Sequence, residues 1–446
     1  MTRTLASHDP ATGELIGEVP VTSAAAMKDV VARAHAAGKE WRRKPMAERV
    51  QILEKAYAQL EPELDDLAEL LSREMGKDIR RSSGEVSGAA YGGGYLAKEA
   101  MAALQSTRTS RDTVVEYRPL GVVAVISPWN YPLAMANNLM VPALVAGNAV
   151  VFKPSEETPL IAQAMVDLLH RELPDNLLQI VHGDGEQGQA LVESDVNLIA
   201  FTGSQATGRK IMAAAAGGLK RLVMELGGND PMIVMHDANL EAAARFAVAS
   251  SFENAGQMCI STERIYVDER VADQFEQYVT QLAGSYEVGS WDQPGVNIGP
   301  IINARQHEAI VDHVRDAEEK GARVLLGGSR QTAPYIQPTV IADMTPEMLM
   351  EKQETFGPVV AMSKYSAIEE AIDRANDSIY GLGAVVFGGE QAGAVADQLE
   401  AGMIGVNQGV GGSGNAPWVG AKQSGFGFHG SPEGHRQFAQ IRVVSR

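Results

Sequence analysis

Apolar residues recur at about every 3.6 positions between residues 24 and 104, as in "VQILEKAYAQLEPELDDLAELLSREM", and this spacing predicts a run of amphipathic helices. An alternating stretch, "TVVEYRP" (113–119), follows and predicts an exposed strand. The pattern then becomes short, wholly apolar runs separated by helical segments. "GVVAVIS" and "NAVVFKP" predict strands, the second leading to a helix over 158–171. "LLQIVHG" leads to a helix over 186–194, "VNLIAFTG" to one over 205–216, and "RLVMELGG" closes the series. Strands alternating with helices predict parallel βαβ units, hence an α/β fold with a doubly wound sheet.

A second α/β series comes after it. Helices are expected over 239–256, 271–284 and 303–320, with strands at "ERIYVD", "ARVLLGG" and around "GPVVAMSKY". "GVNQGVGGSGNAPWVG" reads as a Gly-rich loop, and the chain finishes on "FAQIRVVSR", a period-2 strand with no local partner. With 446 residues there is enough chain for two or three domains and a large core.

Composition narrows the function. The formal charge, 38 − 56 = −18, repels phosphate backbones and anionic headgroups, and no Lys/Arg cluster offsets it. Nucleic acid and membrane surfaces are therefore not expected partners. The most apolar region is interrupted by Pro, Asn and Gly too often to span a bilayer, and the first residues lack the apolar core of a signal peptide. A soluble, cytoplasmic protein is expected. One cysteine, Cys259, excludes an internal disulfide and a Cys-based zinc cluster, so no metal is expected.

That cysteine sits in "FENAGQMCIST" (252–262), and a lone thiol is either a small buried hydrophobe or a nucleophile. "MELGGND" puts Glu225 at the end of an apolar strand, where burial would raise its pKa toward general-base work or where it would simply cap a turn. "SPWNYP" presents Asn130 at another strand end, as an oxyanion donor or a helix cap. "VVFKPSEETP" brings Lys153 and Glu156 within three residues, a cation and a carboxylate that could both reach a ribose. Gly203 and Ser204 of "FTGSQATG" offer free N–H groups and a hydroxyl at a helix start, which suit a phosphate or a plain N-cap. "HGDGEQG" contains a literal G-x-G-x-x-G at Gly183, Gly185 and Gly188, but the acidic residue expected about 20 positions on is missing, and a tight βα turn is the favoured reading.

Together these segments resemble the aldehyde dehydrogenase superfamily. "PWNYP", "KPSEETP", "FTGS…G", "MELGGNDP", "NAGQMC", "ETFGP" and "VGAKQSGFG" occur in the family's order and at its spacings across nearly the whole chain. The resemblance implies a Rossmann-like cofactor domain (1–112 and 128–228), an α/β catalytic domain (229–425) and a small β oligomerisation arm (113–127 and 435–446), in a homodimer or homotetramer. It implies Cys259 as the nucleophile, Asn130 with the Cys259 backbone N–H as oxyanion donors, and Glu225 as the base that hydrolyses the thioester. Lys153, Ser155 and Glu156 would hold the adenosine ribose, and Gly203 and Ser204 the pyrophosphate. Trp129 and Leu226 would line the cofactor channel, and Glu354 and Phe356 would position the nicotinamide riboside. Glu156 favours NAD, with NADP possible through Lys153.

The implied reaction is oxidation of an aldehyde to its acid. Relatives that pass the acyl group to coenzyme A tend to lack the glutamate found here as Glu225, which favours hydrolysis over the acylating alternative. A non-catalytic role for the scaffold is opposed by the intact Cys259, Glu225 and Asn130. Succinate-semialdehyde dehydrogenases are similar in overall pattern, and several carry an arginine eight residues after the oxyanion asparagine; here that position is Asn138. Phe252, Met258 and Trp418, with Asn138, suggest a partly apolar substrate pocket containing an amide, suited to a small or medium aldehyde and open to a semialdehyde.

Overall fold

The computed structural model describes residues 3–411 and 415–446; residues 412–414 of the Gly-rich loop lie outside the described part. The helical N-terminal third forms as its periodicity predicts, in helices Met27–Trp41, Met46–Ala58, Leu64–Met75 and Ile79–Ala103. Leu64–Met75 stops at Gly76, whose φ of +88° is the left-handed conformation that ends many helices. A hairpin of Thr4–His8 and Leu15–Pro20, which the apolar pattern had not indicated, precedes them.

Two parallel-dominated sheets carry the molecule. The first has six strands in the order Gly425–Phe426, Arg221–Leu226, Leu198–Gly203, Val122–Ile126, Ala149–Lys153, Leu178–Ile180. Its central strands "VVAVI" and "AVVFK" are buried along their whole length, as a sheet covered by helices on both faces requires. Fully burying one such Val or Ile stabilises by roughly 1.5–3 kcal/mol, and this core continues through Phe152, Leu198, Ile199 and the helical residues Leu53, Leu71 and Met140. Strand order reverses between Val122–Ile126 and Leu198–Gly203, where successive connections leave to opposite sides and open a crevice at the strands' carboxyl ends.

The second sheet has seven strands: Arg323–Leu326, Thr339–Ala342, Val359–Tyr365, Thr262–Asp268, Asp230–Val234, Gly383–Phe387, Met403–Val406. All its pairs are parallel except the first. Asp230–Val234, Gly383–Phe387 and Met403–Val406 were not among the expected strands. A third sheet joins Ala439–Ser445, Thr113–Pro119 and Thr107–Arg108. No helix among the described residues is long and apolar enough to cross a membrane.

Two boundaries need correction. The arm assigned to 113–127 ends at Pro119: Val122–Ile126 lies in the middle of the first sheet, paired on both sides. Glycine at position 121, with φ +139° and space for no side chain against Asn197, makes the break between the two strands. The chain also leaves the second unit before residue 425, because Gly425–Phe426 returns to pair with Glu225 and Met224 of the first sheet. The terminal strand finds its partner within the chain, Ala439–Ser445 running antiparallel to Thr113–Pro119.

Candidate active site

The crevice at the reversal point deepens into a cavity of about 420 Å³ between the two large sheets. Cys259, Glu225, Asn130, Trp129, Gly203, Ser204, Leu226, Glu354, Phe356, Met258 and Trp418 all line it. Residues from six separate chain segments thus converge on one chamber. Among them Cys259 is the chain's only thiol, partly accessible from the cavity.

Local backbone geometry brings the thiol there. The helix expected over 239–256 ends at Phe252, and a distorted 3-10 turn, Glu253–Gly256, takes over. Within it Asn254 and Ala255 have φ of 52° and 58°, a left-handed conformation that costs a non-glycine residue of the order of 1 kcal/mol. Buried bonds hold it: Asn254 Nδ2 donates to Gln257 O at 3.2 Å, Gln257 Nε2 donates back to Asn254 O at 3.1 Å, and Ile302 N donates to Gln257 Oε1 at 3.0 Å. Opposite, a Cβ on Gly228 would lie 2.5 Å from Cys259 O, and one on Gly227 would lie 2.5 Å from Glu354 Oε2. The glycine pair of "MELGG" therefore lets the nucleophile loop and Glu354 close on the strand that carries Glu225.

Asn130 is buried where its strand gives way to helix Pro132–Val145. Its Oδ1 accepts from Tyr131 N at 3.1 Å, and its Nδ2 donates to Gln257 O at 3.0 Å. An amide carries two N–H donors, so one remains for a ligand. The asparagine is held from behind by Lys77, whose ammonium donates to Asn130 O at 2.7 Å and to Glu85 at 2.6 Å, both charges buried. Glu85 in turn accepts from Leu133 N and Ala134 N at the start of the helix.

The chamber is electrostatically unusual. Glu225 is 3% exposed, its Oε1 has no hydrogen-bond partner, and burial raises its pKa well above the ordinary carboxyl value, with the Trp418 indole offsetting part of the rise. Glu354 is raised for the same reason, then by the nearby Glu263, although it accepts from Gly228 N at 2.9 Å. Burial pushes the Cys259 thiol up, and the carboxylates of Glu225, Asp230 and Glu354 push in the same direction. Burial thus disfavours the charged forms of both the Cys259 thiol and the Glu225 carboxyl in this chamber.

Other cavity residues suit a dinucleotide. Ser204 caps helix Gln205–Ala216, its Oγ accepting from Thr207 N, so the cap reading of this residue holds while its helix N-terminus opens on the crevice. The buried Thr202 hydroxyl in the same lining has no partner. Trp129 and Phe356 meet edge to face with centroids 5.6 Å apart and form an apolar wall. Glu263 accepts from Thr355 N and Phe356 N, and Gln306 donates to the carbonyls of both residues, which fixes the loop bearing Glu354 and Phe356. The open helix N-terminus suits a diphosphate and the Trp129–Phe356 wall suits a flat ring, so these residues fit a nicotinamide dinucleotide.

Several residues lie elsewhere. Lys153, Ser155 and Glu156 are outside the cavity lining, at the end of the next strand; Lys153 Nζ is 3.6 Å from Glu156 Oε2 and donates to Pro154 O at 3.0 Å. "GDGEQG" is a capping box: Asp184 and Gln187 close the start of helix Gly185–Glu193, and Gly188 passes beside the Lys153 side chain. Phe252 does not line the pocket. It is fully buried against Tyr286 in the core of the second sheet, because the kink at Glu253 turns the next side chain, not this one, toward the groove. Asn138 also misses the main cavity and lines an adjoining groove of about 540 Å³, which shares Tyr131 with it. Arg264 is structural: its guanidinium donates to Asn229 O, Arg374 O, Ala375 O and the Tyr266 hydroxyl. Tyr131 and Thr202 line the cavity from within "PWNYP" and "FTGS", where their neighbours were the residues singled out, and Arg305 and Gln306 line it without any local signal in the sequence.

A doubly wound sheet with a ligand crevice at its reversal point, continuous with a chamber holding one thiol and one unpartnered carboxyl oxygen, is the layout of a dinucleotide-dependent α/β enzyme. Comparison with known proteins specifies which. Residues 1–444 match the Aldehyde dehydrogenase family, and the chain belongs to it. It is 38% identical over 456 residues to the mitochondrial succinate-semialdehyde dehydrogenase of Arabidopsis thaliana, covering 99% of this chain and 86% of that one. A probable NADP(+) succinate-semialdehyde dehydrogenase of Sinorhizobium fredii is 38% identical, with 98% and 91% covered. The crystal structure of succinate-semialdehyde dehydrogenase from Burkholderia pseudomallei superimposes with a TM-score of 0.95 at 37% identity, over 99% of this chain and 94% of that one. The protein is an oxidoreductase that converts an aldehyde to the carboxylic acid with NAD or NADP.

Proposed function

We propose that Cys259, Asn130 and Glu225 carry out this oxidation through a covalent adduct. The observation that supports it most is the convergence of a thiol, an amide with a spare N–H and a carboxyl with a free oxygen on one chamber. Cys259, partly accessible from the cavity, releases its thiol proton to solvent water, and its Sγ bonds to the aldehyde carbon as the carbonyl π electrons move to oxygen. Asn130 Nδ2 and the Cys259 backbone N–H stabilise that oxyanion. Reformation of the carbonyl expels hydride from carbon and leaves a thioester on Cys259. The bound nicotinamide supplies the acceptor for that hydride. Glu225 then takes a proton from water as the water oxygen bonds to the thioester carbon; collapse breaks the C–S bond and releases the acid.

Lys153, Ser155 and Glu156 are assigned to the adenosine ribose, and Gly203 and Ser204 to the pyrophosphate. Trp129, Leu226, Glu354 and Phe356 are assigned to the nicotinamide end. Glu156 beside Lys153 favours a free 2′-hydroxyl over a 2′-phosphate, hence NAD over NADP.

For the substrate we infer a short aldehyde, with semialdehydes accepted, on the strength of the relatives' named activities. Recognition of a distal carboxylate would not rest on a free arginine in the side groove. Arg81 there is already bound by both Glu253 oxygens at 2.8 Å and by Asp78 at 2.5 Å, and Asn138 is uncharged. Turnover of a panel of neutral aldehydes and semialdehydes with NAD and with NADP tests the reading. Absence of NADH or NADPH formation across the panel would sink it, and acyl-CoA as the main product in the presence of coenzyme A would replace hydrolysis by acyl transfer. Asn138→Arg should raise the preference for succinate semialdehyde over butanal, in kcat/KM, by about tenfold or more, the size of one charge-assisted contact.

The third sheet supports self-association. Ala439–Ser445 is an edge strand whose Ile441 and Val443 are 54% and 62% exposed, and exposed apolar edges pair with other chains unless covered. A homodimer or homotetramer is proposed. Sedimentation velocity should give a multiple of the 47.6 kDa chain mass, and a monomer at micromolar concentration would refute this.

A further inference from the structure

We propose that Lys77, with Glu85 as its counter-ion, positions the oxyanion donor. It fixes Asn130 so that the spare side-chain N–H is aimed at the developing alkoxide. The inference rests on Asn130 being that donor, and it adds to that reading the residues that hold the donor in place.

The Lys77 and Glu85 side chains are at most 2% exposed, so both charges sit out of water. An ammonium has three donors. Here its partners are Glu85 Oε2 at 2.6 Å, Asn130 O at 2.7 Å and the face of the Tyr131 ring, whose centroid is 4.0 Å away. Lys77 thus grips two consecutive residues, one by its carbonyl and one by its ring. Glu85 secures the chain just beyond them. Helix Pro132–Val145 begins after Tyr131, whose side chain makes no capping bond. The N–H groups of Leu133 at 3.0 Å and Ala134 at 3.3 Å donate instead to Glu85 Oε1, a carboxylate at the positive end of the helix. One ion pair therefore clamps the chain from Asn130 to Ala134.

Tyr131 carries the grip to the nucleophile. Its hydroxyl donates to Glu253 Oε1 at 3.2 Å and lies 3.8 Å from the sulfur of Met258, the residue before Cys259. The Asn130 side chain itself keeps two contacts, Tyr131 N and Gln257 O, and these set the direction of its remaining N–H. Stability alone does not account for the pair. Two buried charges gain little over an apolar pair of the same volume, because desolvation offsets their attraction. A transition-state donor has a stricter requirement: it must already point at the charge that develops, and a misplacement of about 1 Å costs about 10²-fold in rate.

The test is a double-mutant cycle between Lys77→Met and Asn130→Ala, read by single-turnover NADH formation with the aldehyde that the parent turns over fastest. Cofactor affinity and the rate of Cys259 alkylation by iodoacetamide are measured beside it, because alkylation uses the thiol without forming an oxyanion. Lys77→Met should slow the NADH burst about tenfold or more, with cofactor affinity and alkylation within about twofold of the parent. Added to Asn130→Ala it should cost less than about twofold, since the donor it positions is already gone. A burst at the parent rate in Lys77→Met, losses that multiply in the double variant, or alkylation slowed as much as the burst would each overturn the proposal. Asn130→Ala separates the two levels. If that variant forms NADH at the parent rate, the oxyanion assignment fails and the positioning role with it; if it is slow while Lys77→Met is not, only the positioning role fails. Should Lys77→Met not fold with Glu85 left unpaired, Lys77→Met with Glu85→Gln removes both charges, keeps an oxygen for the helix N–H groups and takes its place in the cycle.

Discussion

Cys259→Ala is expected to lower aldehyde oxidation by at least about four orders of magnitude, while cofactor binding and thermal stability stay close to those of the parent protein. The size follows from what the sulfur does. A free aldehyde carbon is electron-poor and does not release hydride, and addition of a thiolate places a tetrahedral alkoxide there whose collapse does. The methyl of alanine cannot form that bond, and no second thiol exists in the chain to replace it. Cofactor binding should persist because the crevice is built from Pro128–Asn130, Gly203–Ser204 and the 354–356 loop, and the 354–356 loop is held by Glu263 and not by the Cys259 side chain. Being the sole cysteine, it also permits a stoichiometric check. One equivalent of iodoacetamide should add one carboxamidomethyl group by mass and abolish turnover in proportion. Retention of activity after complete alkylation would refute the covalent route. Because burial and three carboxylates raise the thiol's pKa, both alkylation and the NADH burst should quicken as pH rises.

Glu225→Gln should separate the two halves of the reaction. Its amide has nearly the shape of the carboxyl but cannot accept a proton, so the thioester should form at close to the parent rate and then persist. The expected trace is a burst approaching one NADH per chain, followed by turnover lower by about 10²–10³-fold. Hydroxylamine, which attacks thioesters without a base, should release the acyl group and restore cycling. A steady-state rate equal to the parent's, or loss of the burst itself, would contradict the role. The pH behaviour has a defined sign. Glu225 is raised in the folded protein, so below its pKa it is protonated and cannot act; turnover of the parent should climb as pH rises through that value, and the variant should lose this limb. Linkage adds a stability consequence. A raised carboxyl stabilises the fold fully below its unfolded pKa, and that contribution is lost as pH rises through the folded pKa, because the ion is then forced into a buried site. Glu225→Gln should therefore exceed the parent in thermal midpoint at alkaline pH, and the advantage should vanish in acid.

The readable and unreadable parts of this chain divide on sequence distance. Cys259, Glu225 and Asn130 could be named because each sits in a short motif, and strands such as Val122–Ile126 and Ala149–Lys153 could be placed because parallel strands buried on both faces are uninterrupted apolar runs. The arm was drawn too long since "TVVEYRP" and "GVVAVIS" are neighbours in the chain yet pair in different sheets, a matter of long-range register. Phe252, grouped with Met258 and Trp418 as pocket lining, instead ends helix Leu240–Phe252 on the face that packs into the core of the second sheet, a choice of face set by contacts distant in sequence. Gly383–Phe387 and Met403–Val406 were missed since short strands in Gly-rich sequence have little periodicity to detect.

By itself, the order of residues determined the alternation of helices and buried strands, the single thiol, the acidic charge and the motifs that hold the reactive groups, all of which are properties of short stretches of chain. Only the tertiary structure decided that Cys259, Glu225 and Asn130 share one cavity, that Asn138 faces a side groove in which Arg81 is already occupied, and that the Lys77 ammonium donates to Asn130 O. Those facts depend on which strand lies beside which, and on how far burial raises or lowers a proton affinity. Both are set by contacts between residues tens to hundreds of positions apart.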